Sequence, residues 1–208
     1  MLRVLIVALV LLVAAVVWRP RPAPIAPPAA ATVLPSARAL PAVALVDQAG
    51  QPFELSELEG NFALVFFGFT NCPDVCPLTL KVLADARAKI EAQAPEHVPH
   101  VLFVSVDPNR DTPEKIATYI RGFDPKFLGA TAPEETLQPL LSTLGVAVEK
   151  HSHGGESYNV VHNSTIYVLG PDGKWIAVSS GPHSPTTIAS DFLKIREGYH
   201  ASPHAPNA

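Results

Sequence analysis

The chain has 208 residues, 48% of them apolar, 16% charged and 22 of them proline, against usual shares of about 25% charged and roughly 5% proline. Residues 1–41 hold four arginines and no acid, which leaves residues 42–208 with 11 basic and 19 acidic side chains, a net charge of −8. The acidic balance argues against nucleic-acid binding, which wants a basic face; two cysteines exclude a disulfide-rich scaffold, and one long apolar run excludes a polytopic membrane protein.

The N-terminal run Val4–Trp18 is apolar throughout. At about 1.5 Å per residue it spans roughly 22 Å, short of the ~30 Å hydrocarbon core, with Arg3 able to snorkel and Trp18 suited to the headgroup level. It reads as an uncleaved membrane anchor over residues 1–18, with a cleaved secretory signal as the competing reading. Either way the rest of the chain is expected outside the cytoplasm. Residues 19–41 are rich in proline and alanine and read as an extended, polyproline-like stalk.

The domain is expected over 42–197, followed by a flexible tail over 198–208. Ala42–Val46 and Gln51–Leu55 flank Asp47-Gln48-Ala49-Gly50 as a short hairpin. Phe62–Phe69 is continuously apolar, as in a strand buried on both faces. A helix is expected over Pro77–Ala92 and a second buried strand over Val101–Val106. Asp111-Thr112-Pro113-Glu114 marks a helix start, with Thr112 or Asp111 as cap, running to about Phe123. A further helix over Glu134–Leu144 stops at Gly145. Val146–Lys150, Ser164–Leu169 and Trp175–Ser179 read as strands, the last two joined by a turn at Pro171-Asp172-Gly173. A helix over Ser184–Glu197 closes the domain. A βαβ crossover followed by an antiparallel hairpin and a helix is the thioredoxin arrangement: α/β, with a central mixed sheet flanked by helices, here with an added N-terminal hairpin.

Both cysteines, Cys72 and Cys76, stand between the first buried strand and the helix after it. Positions i and i+4 share a helix face and lie about 6 Å apart, close enough for a disulfide. A helix N-terminus favours thiolate. The pair can therefore be a disulfide, two reactive thiols, or two soft ligands for one metal. Two cysteines are too few for an iron–sulfur cluster, and a mononuclear metal needs a further donor. His162 is the candidate, because it directly precedes the Ser164–Leu169 strand, whose leading loop approaches the cysteine junction in a thioredoxin-like fold. Two Cys and one His suit copper; zinc wants a fourth ligand, which His151 or His153 offers. His97, His100, His183, His200 and His204 read as ordinary satisfied or solvated histidines.

Gly68-Phe69-Thr70-Asn71-Cys72-Pro73-Asp74-Val75-Cys76-Pro77 closely resembles the metal-site loop of the Sco/SenC family. Val104-Ser105-Val106-Asp107-Pro108-Asn109-Arg110-Asp111-Thr112-Pro113 is similar to that family's second signature, and Tyr158–Tyr167 falls where its histidine ligand is expected. The resemblance covers about residues 42–197. It implies a membrane-anchored, thioredoxin-fold copper chaperone that assists cytochrome c oxidase assembly. Cys72, Cys76 and His162 would bind one copper, Cu(I) or Cu(II). Delivery would be to the binuclear copper centre of cytochrome c oxidase subunit II, with other copper chaperones or thiol reductants as further partners. The implied placement is the inner membrane, single-pass, with the domain on the periplasmic side. The residue before the histidine, commonly acidic in the family, is Val161 here; Asp107, Asp74 and Glu156 are the candidate substitute carboxylates.

Metal transfer implies a binding protein rather than an enzyme. The alternative is a membrane-anchored thiol–disulfide oxidoreductase acting on exported cysteine proteins, with Cys72 and Cys76 as its redox pair and His162 dispensable. The spacing of the pair is wider than the C-x-x-C of such enzymes. A thiol peroxidase would need an arginine beside the cysteines, and Arg110 is the candidate.

Overall fold

The computed structural model of the chain describes residues 25–152, 158–162 and 164–201. The expected membrane segment lies outside the described residues, and no helix among those described is long and apolar enough to cross a membrane. In chain order the elements are β1 (Ala31–Arg38), β2 (Leu45–Asp47), β3 (Pro52–Phe53), β4 (Ala63–Gly68), α1 (Val75–Gln93), β5 (His100–Ser105), α2 (Pro113–Arg121), β6 (Leu128–Thr131), α3 (Glu134–Leu144), β7 (Val148–Ser152), β8 (Tyr158–His162), β9 (Ile166–Leu169), β10 (Trp175–Ser179) and α4 (Pro185–Ala201). Eight strands form one mixed sheet in the order β1-β10-β9-β4-β5-β6-β2-β3, while β7 and β8 make a separate two-stranded ribbon.

The apolar run expected as a central strand is β4, buried at every residue. It pairs in parallel with β5, from Ala63 against His100 to Gly68 against Ser105. On its other side β9 runs antiparallel, with Phe66 opposite Ile166. Alternate side chains of β4 leave the sheet on opposite faces. Val65 and Phe67 line one small hollow with Leu140 and Leu144 of α3, whereas the Phe66 ring lies 6.3 Å from Phe103, whose ring is 5.7 Å from Tyr119 of α2. Phe66, Phe67, Phe103 and Tyr167 are fully buried, each contributing on the order of 1.5–3 kcal/mol by leaving water. Helices thus cover both faces, as the α/β reading anticipates.

Three differences from the sequence reading have physical causes. Residues 31–38, expected within an unstructured stalk, form β1 on the open edge of β10. Proline is tolerated there because an edge strand needs only one row of bonds, and the register shifts between Val33 and Arg38, around Pro35. The buried Asp191 carboxylate fastens the entry by accepting N–H bonds from Ala29, Ala30 and Ala31 at 2.6, 2.8 and 2.9 Å. β6 was not anticipated. Its sequence, Leu-Gly-Ala-Thr, shows little periodicity, yet Gly129 is needed where Ile116 and Ile120 of α2 cross: a Cβ would lie 2.4 Å from Ile116. Finally, α4 runs to Ala201 rather than Glu197. The His200 ring, read from the sequence as an ordinary satisfied or solvated histidine, meets Phe62 edge-on at 5.7 Å.

Candidate functional site

Cys72 and Cys76 are both free thiols at the β4–α1 junction, the first half-buried and the second fully buried. Asp74, the residue at the N-cap of α1, makes no side-chain cap bond. The Cys72 sulfur receives the Cys76 N–H instead, at 3.4 Å, the bond a capping side chain ordinarily makes. Cys76 packs beneath the end of β4. A Cβ on Gly68 would come 2.9 Å from both Cys76 Sγ and Phe103 Cε2, so glycine is what admits the sulfur there. Burial pushes the Cys76 thiol well above the usual range; the Phe69 backbone N–H opposes this, and the Cys72 sulfur adds to it.

The loop that carries the cysteines is fastened to the segment after β5 by one buried carboxylate. Asp111 accepts from Thr70 N at 2.8 Å, Thr70 Oγ1 at 2.5 Å and Ser105 Oγ at 2.6 Å. Lys115 Nζ lies 3.4 Å from Asp111 and donates to Asn71 Oδ1 at 2.9 Å and to the Arg110 carbonyl at 3.0 Å. The two motifs read separately in the sequence are therefore one structural unit, joined immediately before Cys72. Thr112, not Asp111, caps α2, accepting from Lys115 N at 3.3 Å.

Arg110 donates from Nε to the buried Asp107 carboxylate and sits over the Phe69 ring, 5.9 Å from its centroid. That ion pair commits Asp107 and the Nε of Arg110 to each other. Asp74 is exposed. Tyr119, which the sequence reading did not single out, has a buried hydroxyl with no hydrogen-bond partner among the described residues. Burial raises its phenol first, and negative charge on Cys76, Cys72 and Asp111 raises it further, so the ring stands in the electrostatic reach of both thiols. A tyrosine in the middle of an amphipathic helix carries no sequence signal of such a position.

His162 ends β8, its backbone opposite Val148. The side chains of His162 and His151, together with His153, Glu156 and His204, lie outside the described part of the structure. Among the described residues no group of three or more His, Cys, Asp or Glu is gathered as a metal centre. The described site is thus a dithiol with one accessible and one buried sulfur, chemically suited to a soft metal ion.

A family model for SCO1/SenC matches residues 35–197. A protein of Stutzerimonas stutzeri is 38% identical over 141 residues, which span 68% of this chain and 69% of the relative. Among solved structures, ScoI of Arabidopsis thaliana with copper bound superposes with a TM-score of 0.71 at 28% identity, covering 76% of this chain and 98% of that one. ScoI of Bradyrhizobium japonicum with copper bound gives a TM-score of 0.67 at 28% identity, covering 76% and 99%. The match begins inside β1, takes in the cysteine loop and the Asp111 segment, and ends in α4; the chain belongs to the SCO1/SenC family.

Proposed function

We propose that this chain is a copper chaperone that carries one copper ion on Cys72, Cys76 and His162 and passes it to the binuclear copper centre of cytochrome c oxidase subunit II during oxidase assembly. The observation that carries the reading is the dithiol. Two reduced sulfurs share one junction, one at the surface and one beneath β4, held by a network that ends at Thr70 and Asn71. Family membership and the copper-bound relatives support the choice of cargo. Cys72 is the sulfur an incoming donor or acceptor can reach, and Cys76 is the one that stays covered. Loading displaces the thiol protons, because thiolate is the ligand form. Residues 1–18 serve as the membrane anchor, placing the domain on the periplasmic side of the inner membrane.

The test is anaerobic Cu(I) titration of the reduced chain, beside Cys72→Ser and His162→Ala. One tightly held copper per chain, weakened by either substitution, is the expected result. Wild-type binding that His162→Ala leaves untouched would instead favour a dithiol acting as an oxidoreductase. A deletion strain with normal oxidase activity at limiting copper would remove oxidase delivery from the proposal.

A further inference from the structure

Three segments converge at one edge of the large sheet. Phe66 of β4 lies opposite Ile166 of β9, and Ile166 opposite Ser179 of β10. The carboxyl ends of β4 and β10 and the amino end of β9 therefore point the same way. Cys72 and Cys76 follow β4, Ser164 leads into β9 two residues after His162, and His183 follows β10. His183 Nε2 lies 2.6 Å from the Ser164 carbonyl oxygen. A carbonyl only accepts, so Nε2 holds the proton and donates it. The distance is just below the usual range for an N–H···O bond. The other ring nitrogen, Nδ1, is buried and has no hydrogen-bond partner among the described residues. A side chain on Gly181 would come 2.9 Å from Ser164 Oγ, so the backbone of the β10–α4 loop also presses directly on this residue.

We propose, resting on the copper reading above, that His183 is a positioning residue for the metal site. Its Nε2–H fastens the chain just beyond His162 to the sheet edge that carries the cysteines. The carbonyl it holds lies two residues beyond the end of β8, and among the described residues the β7–β8 ribbon shares no strand pairing with the large sheet. Without that bond, the backbone bearing His162 loses a fixed point relative to Cys72 and Cys76.

The test uses the full chain with His183→Ala, His183→Gln and His183→Asn. The readouts are competitive Cu(I) titration, the Cu(II) electron paramagnetic resonance spectrum and circular dichroism. Glutamine places an N–H near the reach of the imidazole Nε2, and asparagine falls one methylene short. We expect alanine and asparagine to weaken copper binding about tenfold, the lower end of what partners outside the ligand set ordinarily contribute. We expect them also to broaden the copper spectrum, and glutamine to restore both. Should His183→Ala fail to fold, the glutamine–asparagine pair decides alone. Equal affinities for that pair, or a folded His183→Ala with wild-type affinity and spectrum, overturn the inference while leaving the chaperone reading intact. A nitrogen coupling lost only in the His183 variants would make this residue a ligand and overturn the positioning role. A wild-type chain that binds no copper defeats the chaperone reading and this inference with it.

Discussion

Replacing Asp111 by alanine tests whether one buried carboxylate holds the cysteine loop. The substitution removes a fully buried acceptor from three donors, Thr70 N and Thr70 Oγ1 on a half-buried residue and Ser105 Oγ on a fully buried one. Each buried donor left unpaired costs about 1–3 kcal/mol. The two hydroxyls can rotate toward other acceptors, whereas the Thr70 amide cannot. The ion pair with Lys115 adds little, because that side chain is 39% exposed. The loss should therefore be about 3–4 kcal/mol, which for a chain of this size lowers Tm by roughly 10 °C. Urea unfolding followed by circular dichroism measures it, with Asp85→Ala as the control. Among the described residues Asp85 pairs with exposed Lys81 one helical turn away, and its removal should cost under about 0.5 kcal/mol. Cys72 alkylation should also accelerate in Asp111→Ala, because the turn that presents it has lost its anchor. A loss below about 1 kcal/mol, with unchanged alkylation, would refute the reasoning and put the loop's rigidity elsewhere.

Other expectations follow from the same structure. Iodoacetamide should modify one thiol of the native reduced chain quickly and the other at least about tenfold more slowly, since buried thiols are inert; mass spectrometry should find the fast adduct on Cys72, and equal rates would contradict the burial of Cys76. Gly68→Ala should cost about 1–3 kcal/mol through overpacking and weaken copper binding, because the new methyl meets Cys76 Sγ at 2.9 Å; calorimetry and Cu(I) titration read the two effects. For Asp191, burial raises the carboxyl, but the N–H groups of Ala29, Ala30 and Ala31 outweigh it and leave it below the usual carboxylate range. Its stabilisation is therefore complete above the unfolded value of about 3.9 and is lost as pH falls through the lower folded value. Melting curves between pH 2 and pH 7 should show an acid-side drop in wild type that is diminished in Asp191→Asn, and a slope unaltered by the substitution would count against the clamp.

Much of the catalogue of elements was readable because its cause is local. β4 is a short unbroken apolar run, β5 is built on another, Val101–Val104, and α2 begins at Thr112-Pro113, a cap followed by a proline that the first turn tolerates. The cysteine pair was readable because both thiols of the chain stand in one motif. What was not readable depends on partners far along the chain. Nothing near Ala31–Arg38 announces that β10 will capture it, since the pairing partner and Asp191 lie about 150 residues away. Asp111 sits where a helix cap belongs, and only the approach of Thr70 reveals its other use. His183 resembles any loop histidine until the carbonyl of Ser164 is placed beside it. Gly68 carried a signal that went unused: a glycine ending an apolar strand, four residues before a cysteine, marks a place where something large must come close.

The way β1 joins the sheet bears on how the site can be presented to a partner. Because β1 runs antiparallel to β10, Ala31 lies opposite Ser179, at the edge where β4 hands over to the cysteine loop. Three strand spacings separate β1 from β4, a lateral offset of about 14 Å. The residues before it turn back along α4, the Pro27 carbonyl accepting from Lys194 Nζ at 3.3 Å and Ile25 sharing a hollow with Gly198 and Tyr199, so the lead runs from the β1 entry towards the end of the sheet opposite the thiols. A lead segment held at a surface would leave the dithiol at the far end of the domain from that surface, and shortening it would lower the sulfurs by at most ~3.5 Å per residue removed. The lead then acts as a ruler, setting the height at which an acceptor must hold its own ligands.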